Sequence, residues 1–155
     1  MLSKAETITK VTTMFNSAAD YFDAPALSFW HCYGQKTIDY LAPRPGDRVL
    51  HVCCGSGASA ISVPRAVGAS GRVLGVDLAE ALLELARQKA EYQGLANIEF
   101  RAGDFENLGL PDTSFDRVIC VFGIFFVPDM AAVQSRSDMQ LLKNLNSQTG
   151  LNRDD

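Results

Sequence analysis

Three stations along the chain carry residue types suited to holding a nucleoside. The first is Cys54-Gly55-Ser56-Gly57-Ala58. Glycines let the backbone turn sharply and come close to a ligand, and the N–H groups that open the following helix offer partial positive charge. Taken alone, Gly55-x-Gly57 serves equally well as a tight strand-to-helix turn. The second station is Asp77, 20 residues after Gly57. A carboxylate there can accept from both hydroxyls of a ribose, or cap the helix that begins beyond Leu78, and one Asp can do both. The third is Gly103-Asp104-Phe105, followed by Leu108 and Leu110-Pro111. A carboxylate beside an aromatic ring suits a purine, accepting from an exocyclic amine while apolar neighbours cover the base. Its plain alternative is a turn whose Asp caps a short helix.

Metal chemistry is not expected. His31, Cys32, His51, Cys53 and Cys54 have metal-binding side chains, but alternating strand residues point to opposite faces and cannot all converge. The four cysteines form no C-x-x-C pair, and the neighbours Cys53 and Cys54 cannot readily bridge to each other. All four are expected as small buried apolar residues.

The elements that must position these stations follow from periodicity and punctuation. The stretch to Tyr40 reads as helical, with Asp23 and Pro25 as a helix start. Phe29, Trp30, Tyr33, Thr37 and Tyr40 then recur at helical spacing; this bulky face is expected in the core rather than at a substrate entrance. Ala42-Pro43-Arg44-Pro45-Gly46-Asp47 stops the helix. Strands are expected at Arg48–Cys53, Arg72–Val76, Asn97–Ala102 and Arg117–Phe126, and helices at Ala58–Val67, bent or shortened by Pro64, and at Glu80–Gln93, capped by Gly94. A last helix is expected from Met130 to Leu145. Near-continuous apolar strands separated by helices predict an α/β fold with a doubly wound parallel sheet covered on both faces. In such sheets ligands lie beyond the carboxyl ends of the strands, where all three stations fall.

Composition bounds the rest. At 155 residues, 47% hydrophobic and 21% charged, the chain has the make-up of a globular protein large enough for one core without staples. Fourteen Lys and Arg against eighteen Asp and Glu leave a formal charge of −4 with no basic stripe, so nucleic acid is not an expected main partner. The first twenty residues lack an apolar stretch with a cleavage signal, and the longest apolar run, Val118–Val127, is too short to cross a bilayer. A cytoplasmic location is expected.

VLHVCCGSG, GVDLA, GDFENLGLP and SFDRVICVFGIFFVPD, in this order and spacing, resemble the successive motifs of class I S-adenosylmethionine-dependent methyltransferases, from about Thr12 to Asp129. The branch most similar is that of the ubiquinone/menaquinone C-methyltransferases, whose N-terminal region also has a pattern like MFNSAADYFD. The resemblance implies a Rossmann-like fold with strands ordered 3-2-1-4, S-adenosyl-L-methionine as cofactor and a small-molecule acceptor. It implies that backbone around Cys53, Gly55 and Gly57 lies against the methionine half, that Asp77 holds the ribose and that Leu78 sits beside the adenine. Asp104 and Phe105 would read the adenine edge, Phe122 would lie near the sulfonium, and Tyr21 would close over the site. Methyl transfer of this kind is a displacement that the protein mainly aligns, so no general base is nominated.

Two positions depart from the family pattern. His51 stands where an acidic residue is usual and Cys53 where glycine is usual, so weakened cofactor affinity is expected, the more so if His51 carries a proton. The likeness stops at Val133, so the fold is expected to be incomplete at its C-terminus. The chain then divides into a helical cap (1–45), a cofactor-binding core (46–133) and a divergent tail (134–155). The apolar fourth strand, at a sheet edge, is expected to self-associate or bind a partner. Two alternatives stay open: an inert module that keeps the fold, and a nicotinamide-type dehydrogenase domain, whose looser pattern Gly55-x-Gly57-x-x-Ala60 and Asp77 also satisfy.

Overall fold

The structure is a computed structural model and describes residues 3–104, 107–110, 114–121 and 123. Helix α1 (Lys4–Phe22) opens on Ser3, whose hydroxyl accepts from the Glu6 amide while the Glu6 carboxylate accepts from the Ser3 amide, so two orphan donors of the first turn are satisfied. Pro25 opens only a single 3-10 turn (Pro25–Leu27); α2 begins later, at Phe29, and runs to Leu41. Ala42 ends α2 in the left-handed region, and the proline after it prevents the helix from continuing.

The bulky face expected in the core lies elsewhere. The buried positions of α2 are Gly34 and Ile38, whereas Tyr33 is 52% exposed and Phe29 and Tyr40 also face outward. The reason is close approach: a Cβ on Gly34 would stand 2.5 Å from the Ser59 Cβ, so α2 meets the sheet through its smallest residue and turns Phe29, Tyr33 and Tyr40 aside, while Trp30 is half-buried.

Strands β1 (Arg48–Val52), β2 (Arg72–Asp77), β3 (Ile98–Ala102) and β4 (Arg117–Cys120) form one parallel sheet in the order β3-β2-β1-β4, the expected order. His51 pairs with Gly75 and Ile119, and Asp77 with Ala102. The first strand stops one residue short of the expected boundary because Cys53 adopts φ 51°, which no strand residue can. The expected helix over 58–67 is instead a 3-10 turn (Ala60–Ser62) followed by α3 (Val63–Val67). Pro64 sits in the first turn of α3, where its missing N–H costs nothing, and not in a helix interior. Helix α4 (Glu80–Tyr92) buries Leu82, Leu83, Ala86 and Ala90 as its periodicity predicts, and Gly94 follows with φ 66°.

Val49, Val73 and Ile119 pack on Ile38, Val63 and Val67, and Phe100 packs on Leu83, Ala86 and Ala90, so α2, α3 and α4 cover one face of the sheet. Leu50, Val52, Leu74, Val76 and Val118 form the other face and pack on Leu108, Leu110 and Phe115. Helix α1 lies on α4, with Ala19 buried among Ala79 and Leu82. The β4 ladder ends at Cys120, and the expected continuation through Phe122 and 124–126 lies outside the described residues, as does the helix expected over 130–145. Of the cysteines, Cys54 is buried and Cys53 and Cys120 are half-buried. Cys32, expected inside, is exposed on α2, whose inner face is already taken by Gly34 and Ile38. No helix among the described residues is long and apolar enough to cross a membrane.

Candidate ligand site

The carboxyl ends of β1, β2 and β3 open into a cavity of about 190 Å³ roofed by α1. Cys53, Gly55, Asp77, Leu78 and Asp104, all singled out in the sequence, line it. Gly57 stands just behind, with φ 81° and so little room that a Cβ would come within 3.1 Å of Ala86 and Ile61. Tyr21 is 74% exposed and does not line the cavity; its neighbour Phe22 does, its ring 3.3 Å from where a Gly55 Cβ would be. Phe105 and Phe122 lie outside the described residues.

Asp77 ties two elements together. Its Oδ2 accepts from the Gly55 amide at 2.8 Å and its Oδ1 from the Ala79 amide at 2.9 Å, fixing the glycine turn to the end of β2 and the start of α4. With the Leu78 amide also on the carboxylate, it still keeps acceptor capacity for a ligand. Burial pushes its pKa up, against the pull of the Ala79, Gly55 and Leu78 amides. Asp104, at the end of β3, faces Lys4 of α1 at 3.5 Å and accepts from the Asn107 side chain at 2.9 Å. The two carboxylates thus flank one cavity from adjacent strands.

The glycine turn holds a buried polar pair that sequence reasoning missed. His51, 1% exposed, lies 2.7 Å from Ser59 through Nε2 and 3.3 Å from the Val52 carbonyl through Nδ1. A carbonyl only accepts, so the ring proton is on Nδ1 and Nε2 accepts from the Ser59 hydroxyl. Burial pushes the His51 pKa down to about 4, so the ring is neutral and the repulsion expected of a protonated histidine does not arise near pH 7. Ser59 lines the cavity and His51 stands behind it.

Cys53 and Cys120 meet at the β1–β4 edge of the cavity. Hydrogen bonding to Cys120, then burial, pushes the Cys53 thiol well up, and a Cβ on Gly123 would crowd both sulfurs, at 2.7 and 3.1 Å. On the far side, Ser56 donates to Asp23 at 2.6 Å, and Lys89 bridges Asp23 and the Ser56 carbonyl at 2.6 and 2.9 Å, clasping the end of α1 to the turn and to α4. Thr7, Ile8, Val11 and Phe15 form the roof of the cavity, and Trp30, stacked on Phe22, closes its side. The spacing of Ile8, Val11, Phe15, Ala19 and Phe22 is the signal that could have found this inner face. Among the described residues no cluster of three or more His, Cys, Asp or Glu could hold a metal ion.

The model of the ubiE/COQ5 methyltransferase family matches residues 3–144. Aklanonic acid methyltransferase DauC of Streptomyces sp. strain C5 is 34% identical over 127 residues, covering 82% of this chain and 58% of that protein. The 2-phytyl-1,4-naphtoquinone methyltransferase of Synechococcus elongatus is 35% identical over 128 residues, covering 79% of this chain and 55% of that one. The chain therefore spans little more than half the length of these relatives. A solved SAM-dependent methyltransferase from Aquifex aeolicus superposes with a TM-score of 0.64 at 22% identity, covering 84% of this chain and 64% of its own, which shows the shared fold.

Proposed function

The chain belongs to the ubiE/COQ5 methyltransferase family, and on that premise we propose that it binds S-adenosyl-L-methionine across the ends of β1–β3 and serves methyl transfer to a small organic acceptor. One observation carries the reading: Asp77, which ends β2, and Asp104, just beyond the adjacent parallel β3, line the same cavity as the glycine turn. That donor set fits the group, because a nucleoside offers hydroxyl and amine donors where the carboxylates stand, and the turn brings bare backbone to its sulfur end. In this reading Asp77 holds the ribose, Leu78 and Asp104 flank the adenine with Phe105, and Cys53, Gly55, Gly57 and Phe122 border the methionine half, with Tyr21 at the rim.

When bound, the cofactor supplies a methyl group made electrophilic by a sulfonium. What this chain's residues contribute is alignment and exclusion of water: the glycine turn fixes the ligand against β1, and the α1 roof, with Phe15, Phe22 and Trp30, makes the space above it apolar. No residue is assigned as a base. Both relatives named above are methyltransferases, so neither the dehydrogenase nor the inert module is favoured.

The division into cap (1–45), core (46–133) and tail (134–155) belongs to the same proposal, as do a cytoplasmic location and self-association through β4, which is an edge strand among the described residues. Calorimetry tests the central point. Asp77→Asn should weaken S-adenosylhomocysteine binding about tenfold or more, since a hydrogen bond to a charged acceptor is worth about 1.5–3 kcal/mol. Unchanged affinity contradicts the assignment.

A further inference from the structure

Building on the S-adenosyl reading, we propose that Ser59, oriented by His51, is the acceptor that recognises the ammonium group at the amino-acid end of the ligand. The Ser59 hydroxyl donates its only proton to His51 Nε2, 2.7 Å away, so its oxygen can offer the cavity nothing but lone pairs. A hydroxyl held this way accepts from a cation and turns away a carboxylate. The direction of that bond is fixed by the Val52 carbonyl at Nδ1, and burial keeps His51 from taking a second proton near neutral pH.

Other polar side chains along this wall are already engaged. Asp77 and Asp104 stand at the ends of β2 and β3, bound to the Gly55 and Ala79 amides and to Lys4 and Asn107. Ser56, the other hydroxyl of the turn, is taken up by the clasp with Asp23 and Lys89, which already pairs one carboxylate with one ammonium there. Ser59 stands against His51 of β1 and Gly34 of α2, whereas Asp104 follows β3, two strands away across the sheet. A ligand with its adenine at Asp104 and its ribose at Asp77 therefore carries its amino-acid end toward Ser59. Here Ser59 is the binding group and His51 a positioning residue that acts through it.

The test is calorimetric titration of the full chain with S-adenosylhomocysteine and with its desamino analogue, in which hydrogen replaces the amine. Wild type should prefer the amine-bearing ligand by about tenfold. Ser59→Ala should lose most of that preference while binding the analogue within about twofold of wild type. His51→Leu, which frees the hydroxyl proton, should lose the preference too. Equal binding of the two ligands by wild type overturns the proposal without any variant. So does a preference that survives in Ser59→Ala, or a loss in that variant equal for both ligands, the mark of a purely structural role. If wild type binds neither ligand, the S-adenosyl reading itself falls, and this one with it.

Discussion

Cys53 carries a side chain at φ 51°, a conformation that costs a residue with a Cβ about 1–2 kcal/mol and a glycine almost nothing. The strain is tolerable because the thiol is small and lodges against Gly123 and Cys120. We therefore expect a graded series in chemical denaturation: Cys53→Gly within about 1 kcal/mol of wild type, and Cys53→Val, β-branched in the left-handed region, destabilised by about 2 kcal/mol or more. A Val variant as stable as wild type would contradict the strained geometry. His51 sets a second expectation. Its pKa falls from 6.5 to about 4 on burial, so the fold favours the neutral ring; the stability it confers is complete above pH 6.5 and is lost as pH falls toward 4. The loss amounts to about 3 kcal/mol, from 1.36 kcal/mol per pKa unit. Asp77, shifted upward, works the other way and is favoured as pH drops. In His51→Gln the fall between pH 6.5 and 4 should shrink by about that amount, and urea midpoints at intervals across the range would show it. At this scale the sequence made Asp77 and Asp104 legible, because a carboxylate after an apolar strand has few purposes. It did not make Ser59 legible: a serine ahead of a short 3-10 turn has no periodic signature, and its role depends on a histidine eight residues back whose side chain reaches it only in the folded state.

Helix α1 is held over the cavity at three places: by Lys4 to Asp104, by the Asn16 side chain to the Ala81 amide, and by the Asp23–Ser56–Lys89 clasp. The Asp23–Lys89 pair is partly solvated and is worth about 1 kcal/mol or less alone, yet removing Asp23 also strands the buried Ser56 hydroxyl. Asp23→Ala should therefore lower global stability by only about 1–2 kcal/mol while hydrogen exchange in the second half of α1 rises selectively over that in the β1–β2 ladder. Uniform protection across both elements would argue against the clasp. Strands and α4 were legible because apolar runs and a 3.6-residue period survive in any context. The break near Pro64 was legible from the proline itself, but the outward rings of Phe29, Tyr33 and Tyr40 were not, since they follow from the approach of Gly34 to Ser59, a tertiary contact that helix periodicity does not encode.

For the molecule as a whole, the order β3-β2-β1-β4 places the glycine turn at the centre of the sheet and the two acidic stations beyond β2 and β3 on one side of it, so one cavity gathers residues from 53 to 104. That gathering follows from the parallel winding of the sheet, and the alternation of apolar strands with helices is what made the fold class readable. Four strands with α2, α3 and α4 on one face, and α1 packed outside α4, bring the pocket, its apolar roof and its polar turn into one body. What decides the account is whether that pocket takes an adenosyl sulfur compound in preference to a dinucleotide. Thermal unfolding of the full chain should be measured alone and with S-adenosylmethionine, S-adenosylhomocysteine or NAD at equal concentration. The account predicts a rise in melting temperature with the first two and none with NAD; stabilisation by NAD, or by none of the three, would contradict it.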